Sequence, residues 1–251
     1  MKENEGVRIN KFLSEVGYCS RRAADKLIDE GKVTINGKVP EMGTKVLPTD
    51  EVKVNGRAVT KPKVKPVYIA FNKPVGIVCT TDTKVEKNNI IDFIGYPSRI
   101  FPIGRLDKPS EGLIFLTNDG DIVNKILRAR NHHEKEYVVT VDKPITKGFL
   151  HAMRKGVPIL NTMTRECEVE QMSKYVFRII LTQGLNRQIR RMCEHLGYHV
   201  TKLKRVRIMN VNLDLKVGEW RDLSPLELKG IRRMVSSSAK TAEDDLSEMM
   251  D

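Results

Sequence analysis

Two segments of this chain pair a carboxylate with cations in a way that chemistry could use. The first is Phe101-Pro102-Ile103-Gly104-Arg105-Leu106-Asp107. Its proline and glycine punctuate a loop between apolar runs, so Asp107 can be held rigidly at the edge of a sheet. Such a carboxylate can serve as nucleophile or base; the plain alternative is a loop aspartate that caps a helix or binds water. The second segment is Gln183-Gly184-Leu185-Asn186-Arg187-Gln188-Ile189-Arg190-Arg191-Met192. On a helical period, Ile189, Met192, Cys193 and Leu196 share one buried face. Arg190 falls on the flank, its stem covered and its guanidinium at the boundary, placed to hold a partly buried carboxylate or simply to snorkel. Arg187 and Arg191 point away, toward solvent or phosphate. Downstream, Lys202, Lys204, Arg205 and Arg207 form a basic stretch suited to backbone phosphates, with a solvated basic strand as its plain reading.

Other catalytic apparatus is missing from the text of the sequence. No G-x-G-x-x-G follows a strand, and neither a G-x-x-x-x-G-K-[ST] nor a G-x-S-x-G occurs, so common nucleotide cofactors lose support. His195 and His199 are four apart, but Gly197 ends the helix between them, and His132-His133 lies among charges; no metal site is expected. Cys19, Cys79, Cys167 and Cys193 are widely spaced without a C-x-x-C, which predicts reduced thiols. Cys19 and Cys193 fall in helix-like contexts as small packing residues.

The elements that must position these groups fall into two textures. In residues 8–60, Ser20 caps a helix through Glu30, with Ala23, Ala24, Leu27 and Ile28 buried and Gly31 at the stop. Asn36-Gly37 and Asn55-Gly56 are tight-hairpin dipeptides between short alternating strands. Lys61-Pro62-Lys63-Val64-Lys65-Pro66 reads as a stiff linker. Beyond it the spacing predicts strands over Val67–Phe71, Gly76–Thr80, Leu113–Thr117, Tyr137–Val141, Val176–Leu181 and Glu219–Leu223. It predicts helices over Asp119–Ala129, Thr146–Lys155, Asn186–Leu196 and Pro225–Met234, the last opened by a capping box at Ser224 and Glu227. Strand and helix do not alternate strictly, so a mixed or antiparallel α+β sheet is expected rather than a doubly wound one. The domains are then 1–66 and 67–234, with a disordered acidic tail over 235–251.

Lys and Arg outnumber Asp and Glu by 44 to 32, a net charge of +12 spread through many segments. That balance suits a folded protein facing a polyanion, nucleic acid first and an anionic membrane second. The start, Met1 to Gly6, has no apolar run of a signal peptide, and no stretch approaches the ~18 apolar residues of a membrane span. A cytoplasmic protein is expected, with a monomer as the default and no membrane partner.

Gly104-Arg105-Leu106-Asp107, Lys135-Glu136-Tyr137 and Gly184–Met192 resemble, in order, the signature motifs of the RsuA/RluB/RluF group of pseudouridine synthases, and Asn72-Lys73-Pro74-Val75-Gly76 resembles its first motif. Residues 8–60 resemble the small S4-type RNA-binding module that precedes the catalytic domain in this group. Within it, Phe101–Asp107 and Glu134–Ile145 are most similar to the RluF branch. The resemblance spans about residues 7 to 230. It implies an S4-like domain followed by a catalytic domain with a mixed, mainly antiparallel sheet flanked by helices, the pseudouridine synthase fold. It implies isomerisation of a uridine in structured RNA without cofactor: large-subunit ribosomal RNA first, a transfer RNA as a further candidate.

The resemblance also implies roles. Asp107 is the catalytic aspartate, attacking the sugar or taking a sugar proton. Arg105 enters the RNA stack in place of the extruded base. Tyr137 stacks on that base, the plain alternative being a core aromatic. Arg190 pairs with Asp107, while Arg187 and Lys73 complete the substrate-binding set. Arg8, Lys11, Arg21, Arg22, Lys26, Lys202, Lys204 and Arg205 contact RNA. Three rival readings compete: a binding-only assembly factor, a methyltransferase behind the same module, and a glycoside hydrolase using Asp107 and Glu111.

Overall fold

The computed structural model of the 251-residue chain describes residues 6–60, 65–128 and 131–236. It divides into two compact units, Met1–Pro66 and Val67–Asp251. The first unit runs β1 (Val7–Arg8), α1 (Ile9–Glu15), α2 (Arg21–Asp29), β2 (Val33–Ile35), β3 (Lys45–Val46), β4 (Val52–Val54) and β5 (Arg57–Ala58). Ser20 caps α2, its hydroxyl accepting from the Ala23 amide at 3.2 Å. Asn55, at φ 49°, and Gly56, at φ 74°, turn β4 into β5. Asn36-Gly37 closes only the single bridge Ile35–Lys38, because β2 pairs along its length with β4. Ile9, Leu13, Ala24, Ile28, Val33, Val52 and Val54 make the core of this unit. Cys19 packs on that core from between the helices rather than from within one. Of the expected linker, Lys61–Val64 lies outside the described residues.

The second unit runs β6 (Tyr68–Lys73), α3 (Ile90–Ile94), β7 (Phe101–Ile103), β8 (Glu111–Thr117), α4 (Gly120–Leu127), β9 (Lys135–Val141) and α5 (Lys147–Lys155). It continues with β10 (Pro158–Ile159), β11 (Thr162–Met163), β12 (Glu168–Ser173), β13 (Val176–Leu181), α6 (Gln188–His195), β14 (Val200–Ile208), β15 (Val211–Asn212), β16 (Trp220–Asp222) and α7 (Pro225–Val235). One sheet in the order β12-β13-β9-β14-β8-β6-β16 organises it, with β7 on β8 and β15 on β14. Among the described residues, β8 with β14 is the parallel pair and the other ladders are antiparallel, the mixed α+β arrangement that the element order predicts.

Alternation along the strands sends side chains to two faces. Ala70, Leu113 and Phe115 pack under Ile122 and Ile126 of α4 and Ile231 and Val235 of α7. On the opposite face Ile69, Phe71, Ile114 and Leu116 meet Ile90 and Ile94 of α3. Farther along, Val139, Phe177 and Ile179 meet Phe149 and Met153 of α5 and Ile189, Met192 and Cys193 of α6. Each such large side chain contributes about 1.5–3 kcal/mol. Ser224 and Glu227 form the expected capping box at the start of α7, the Ser224 amide donating to the Glu227 carboxylate at 2.7 Å.

Four points depart from the expected elements or add to them. Gly76–Thr80 is not a strand: Gly76 turns the chain at φ 93°, and the segment keeps only one bridge, Val78 to Asn89. The helix expected over Asn186–Leu196 begins at Gln188, because Arg187 takes a left-handed backbone that no helix interior accepts. The basic stretch from Val200 is a central strand, flanked by β9 and β8. α7 runs to Val235, which is buried, one residue beyond the expected boundary; residues 237–251, most of the expected tail, lie outside the described residues.

Candidate active site

Asp107 stands in the turn from β7 to β8, and the backbone is tethered on both sides of it. The Leu106 amide donates to the Cys79 sulfur at 3.4 Å. The Ser110 amide donates to the Asp107 carbonyl at 3.0 Å, and the Gly76 amide to the Lys108 carbonyl at 2.8 Å. The carboxylate itself is 35% exposed and faces two guanidiniums, Arg187 Nη1 at 3.8 Å and Arg190 Nε at 3.9 Å.

Arg190 is 7% exposed on α6. Its Nη1 donates to the Val200 carbonyl at 3.1 Å, and its Nη2 to the Pro109 carbonyl at 3.1 Å and the Ser110 hydroxyl at 3.2 Å. The remaining Nε is buried without a hydrogen bond and is aimed at the carboxylate. Burial, then the charge of Arg187, pulls the Arg190 pKa down, and Asp107 opposes both. Arg187 differs from the outward direction its helical position suggests. Its backbone, at φ 51°, turns the side chain back to Asp107. A non-glycine residue in that region costs about 1–3 kcal/mol and persists where surrounding structure enforces it.

Tyr137 is half-buried on β9, packed between the cores under α3 and under α5 and α6. Arg205 on β14 stands opposite it in register, its guanidinium carbon 5.9 Å from the ring centre. Arg205, expected among the phosphate-facing cations, is 3% exposed, and its Nε donates to the Leu113 carbonyl at 2.6 Å. Strand alternation turns it inward beside Leu203, so it cannot meet a phosphate at the surface. Lys73, expected in the substrate-binding set, is fully buried, and its ammonium donates to the Pro74 carbonyl at 2.7 Å. Burial lowers its pKa, opposed by the nearby Cys79, Asp107 and Glu111.

The other expected contacts lie nearer water. Arg105 is exposed two residues before Asp107, and Lys202 is exposed on β14. Lys204 pairs with Glu111 at 3.4 Å. In the first unit Arg8, Arg21, Arg22 and Lys26 are exposed, and Lys11 is half-buried beside Glu15 at 3.4 Å.

Sequence reasoning gave Lys135, Cys79 and Gly112 no role at the site. Lys135 is 8% exposed, its ammonium 3.4 Å from the His133 carbonyl. It is in phase with Tyr137, Val139 and Val141, so a lysine on the apolar period of a strand was the available signal. Burial, then Arg205, pushes its pKa down to about 8 from 10.5. A buried cation of this kind opposes folding by on the order of 1–3 kcal/mol near neutrality. Between pH 8 and 10.5 the unfolded chain holds the Lys135 proton that the folded chain has released, so stability rises with pH across that window. We expect Lys135→Met to be more stable than the parent at pH 7 by about 1–3 kcal/mol and to lack the alkaline rise. Urea denaturation at pH 7 and pH 10 checks both; a variant less stable at pH 7 would remove the penalty.

A mixed sheet with a tethered aspartate, a buried arginine opposite it and a half-buried tyrosine on the next strand but one matches a known class. Residues 67–195 match the RNA pseudouridylate synthase family and residues 7–52 match the S4 domain. The chain belongs to the RNA pseudouridylate synthase family, RNA-modifying isomerases. It is 56% identical over 245 residues to the dual-specificity RNA pseudouridine synthase RluF of Escherichia coli O157:H7, covering 97% of this chain and 84% of that one. It is 36% identical over 236 residues to the ribosomal large subunit pseudouridine synthase B of Bacillus subtilis (strain 168), covering 90% of this chain and 96% of that one. A solved pseudouridylate synthase superposes with a TM-score of 0.66 at 29% identity, over 90% of this chain and 99% of its own. These findings favour the catalytic reading over the binding-only, methyltransferase and hydrolase readings.

Proposed function

We propose that the protein isomerises a specific uridine of large-subunit ribosomal RNA, with Asp107 acting on the ribose. The observation that carries this is the Asp107 carboxylate, held by backbone tethers on both sides and faced by Arg187 and Arg190. In the reaction the C1′–N1 bond breaks, the uracil turns, C5 joins C1′, and the C5 proton is exchanged for one on N1. Nothing is oxidised and no group is imported, so no cofactor is required. Arg105 is exposed where it can fill the gap left by an extruded base, and Tyr137 offers a stacking face worth about 1–3 kcal/mol. Arg190 holds Asp107; Arg187 and Lys73 complete the charge around it. The unit over residues 1–66 binds RNA through Arg8, Lys11, Arg21, Arg22 and Lys26, and the unit from Val67 is catalytic, joined in its RNA contacts by Lys202 and Lys204. We take the protein to be a cytoplasmic monomer; among the described residues no helix is long and apolar enough to cross a membrane.

The test incubates the protein, without cofactor, with total RNA from cells lacking it, then maps pseudouridines by carbodiimide-dependent reverse-transcriptase stops. A new stop in large-subunit ribosomal RNA, absent with Asp107→Asn, is expected. No new stop on naked RNA or ribosomal particles would overturn the reading. Transfer RNA belongs in the same mixture, because the 56%-identical relative is named for dual specificity. For the first unit, Arg21→Ala with Arg22→Ala should weaken RNA binding and reduce the slope of log K against log salt by about 1–2. An unaltered slope in titrations at several salt concentrations would remove these two arginines from the RNA contact.

A further inference from the structure

Among the described residues the buried charged side chains are Lys73, Lys135, Arg190 and Arg205; no Asp or Glu is buried. Arg190 faces Asp107, and Lys73 lies in the field of Asp107 and Glu111. Lys135 and Arg205 are different. They repel one another, and among the described residues neither has a carboxylate partner: Lys135 reaches a carbonyl, and Arg205 satisfies its Nε on Leu113 while its Nη2 is buried without a hydrogen bond. Two cations buried together without an acid oppose folding, and groups of that sort collect where charge is used. Their location supplies the use. Arg205 lies against the Tyr137 ring, and its backbone adjoins Gly112, five residues after Asp107.

We propose that Arg205, backed by Lys135, positions Tyr137 and stabilises the negative charge carried by the uracil while it is detached from the ribose. This rests on the synthase reading above. When the C1′–N1 bond breaks, its electron pair leaves with the uracil and spreads over N1, O2 and O4. The charge is relieved when C5 bonds to C1′, returns when the C5 proton leaves, and is relieved again when N1 gains a proton. A base stacked on a tyrosine would bring that charge against the negative face of the ring. A guanidinium held against the same ring offsets it, and the buried setting extends the reach of both cations. Arg205 and Lys135 are therefore positioning residues that act through Tyr137, and their positive charge is what matters.

The test uses full-length protein and a transcript spanning the uridine located by the mapping experiment, with single-turnover rates measured over a range of enzyme concentrations. Lys135→Met and Arg205→Met should slow turnover at saturation by 10- to 100-fold with half-saturation changed less than twofold. Arg205→Lys, which keeps the charge, should recover part of the rate. The same transcript with 5-fluorouridine at the target offers a more acidic leaving group. The deficit of both methionine variants, read as consumption of the fluorinated nucleoside, should shrink there. Lys135→Met at parental rate, or a deficit of equal size with both leaving groups, would overturn the proposal. If Arg205→Met fails to fold, Lys135→Met alone decides. Activity retained by Asp107→Asn would instead count against the synthase chemistry itself, a separate result.

Discussion

Asp107→Asn should lower the single-turnover rate by at least about 1,000-fold while leaving the folded protein intact, the size typical of removing a group that acts directly on the substrate. The substitution keeps the shape of the side chain and removes its charge. Its backbone tethers, Leu106 to Cys79 and Ser110 to the Asp107 carbonyl, do not involve the carboxylate. With the carboxylate 35% exposed, stability should change by no more than about 0.5–1 kcal/mol. Removing the negative charge also leaves Arg187 and Arg190 facing one another uncompensated, which offsets any gain from lost desolvation. Rate and denaturation midpoint are measured on the same preparation. A variant within tenfold of the parental rate would take Asp107 out of the chemistry.

Gly112→Ala should have the largest effect on stability, a loss of about 3–6 kcal/mol from backbone strain and overpacking together. Gly112 has φ of 111°, a region closed to alanine, and an added Cβ would lie 2.6 Å from the Arg205 amide nitrogen, with the Arg205 carbonyl nearer still. β14 cannot step aside, because Arg205 is already paired with Tyr137 on its far side. Either the parallel pair parts or the Asp107 turn moves away from Tyr137. Gly148→Ala in α5 is the control: the nearest atom to its Cβ is 3.9 Å away, so a gain of about 0.5–1 kcal/mol is expected. Urea denaturation of the two variants checks the contrast. Equal stabilities would mean that β8 and β14 tolerate separation.

Much of this arrangement was legible in the sequence. Caps and turns are local chemistry, so Ser20, Asn55-Gly56 and the Ser224 capping box declare themselves. The helical period of α6 put Arg190 on a flank able to hold a carboxylate, and the family resemblance supplied Asp107 as that carboxylate; the two stand 3.9 Å apart. What escaped depends on partners distant in the chain. The inward turn of Arg205 follows from its pairing with Gly112 and Tyr137, across about 70–90 residues, and a run of basic residues does not announce which of them alternate inward. The left-handed Arg187 escaped because helix patterning assumes a regular start. Gly76–Thr80 has strand-like residues but no neighbouring strand left to pair with, since both sides of β6 are taken by β8 and β16.

The pairing of β16 with β6 has a consequence for how the chain is made. Trp220, Arg221 and Asp222 seal the edge offered by Ile69, Ala70 and Phe71, some 150 residues earlier. On a ribosome that edge emerges early and waits, its hydrogen-bonding groups open, through most of translation. Loop closure over such a span is slow to be rewarded, and an unsealed strand invites the wrong neighbour. A chain stopped before Trp220 would keep the whole of Asp107, Tyr137 and Arg190 yet carry an open hydrophobic strand. Premature termination in this gene should therefore yield aggregates rather than a weakened enzyme.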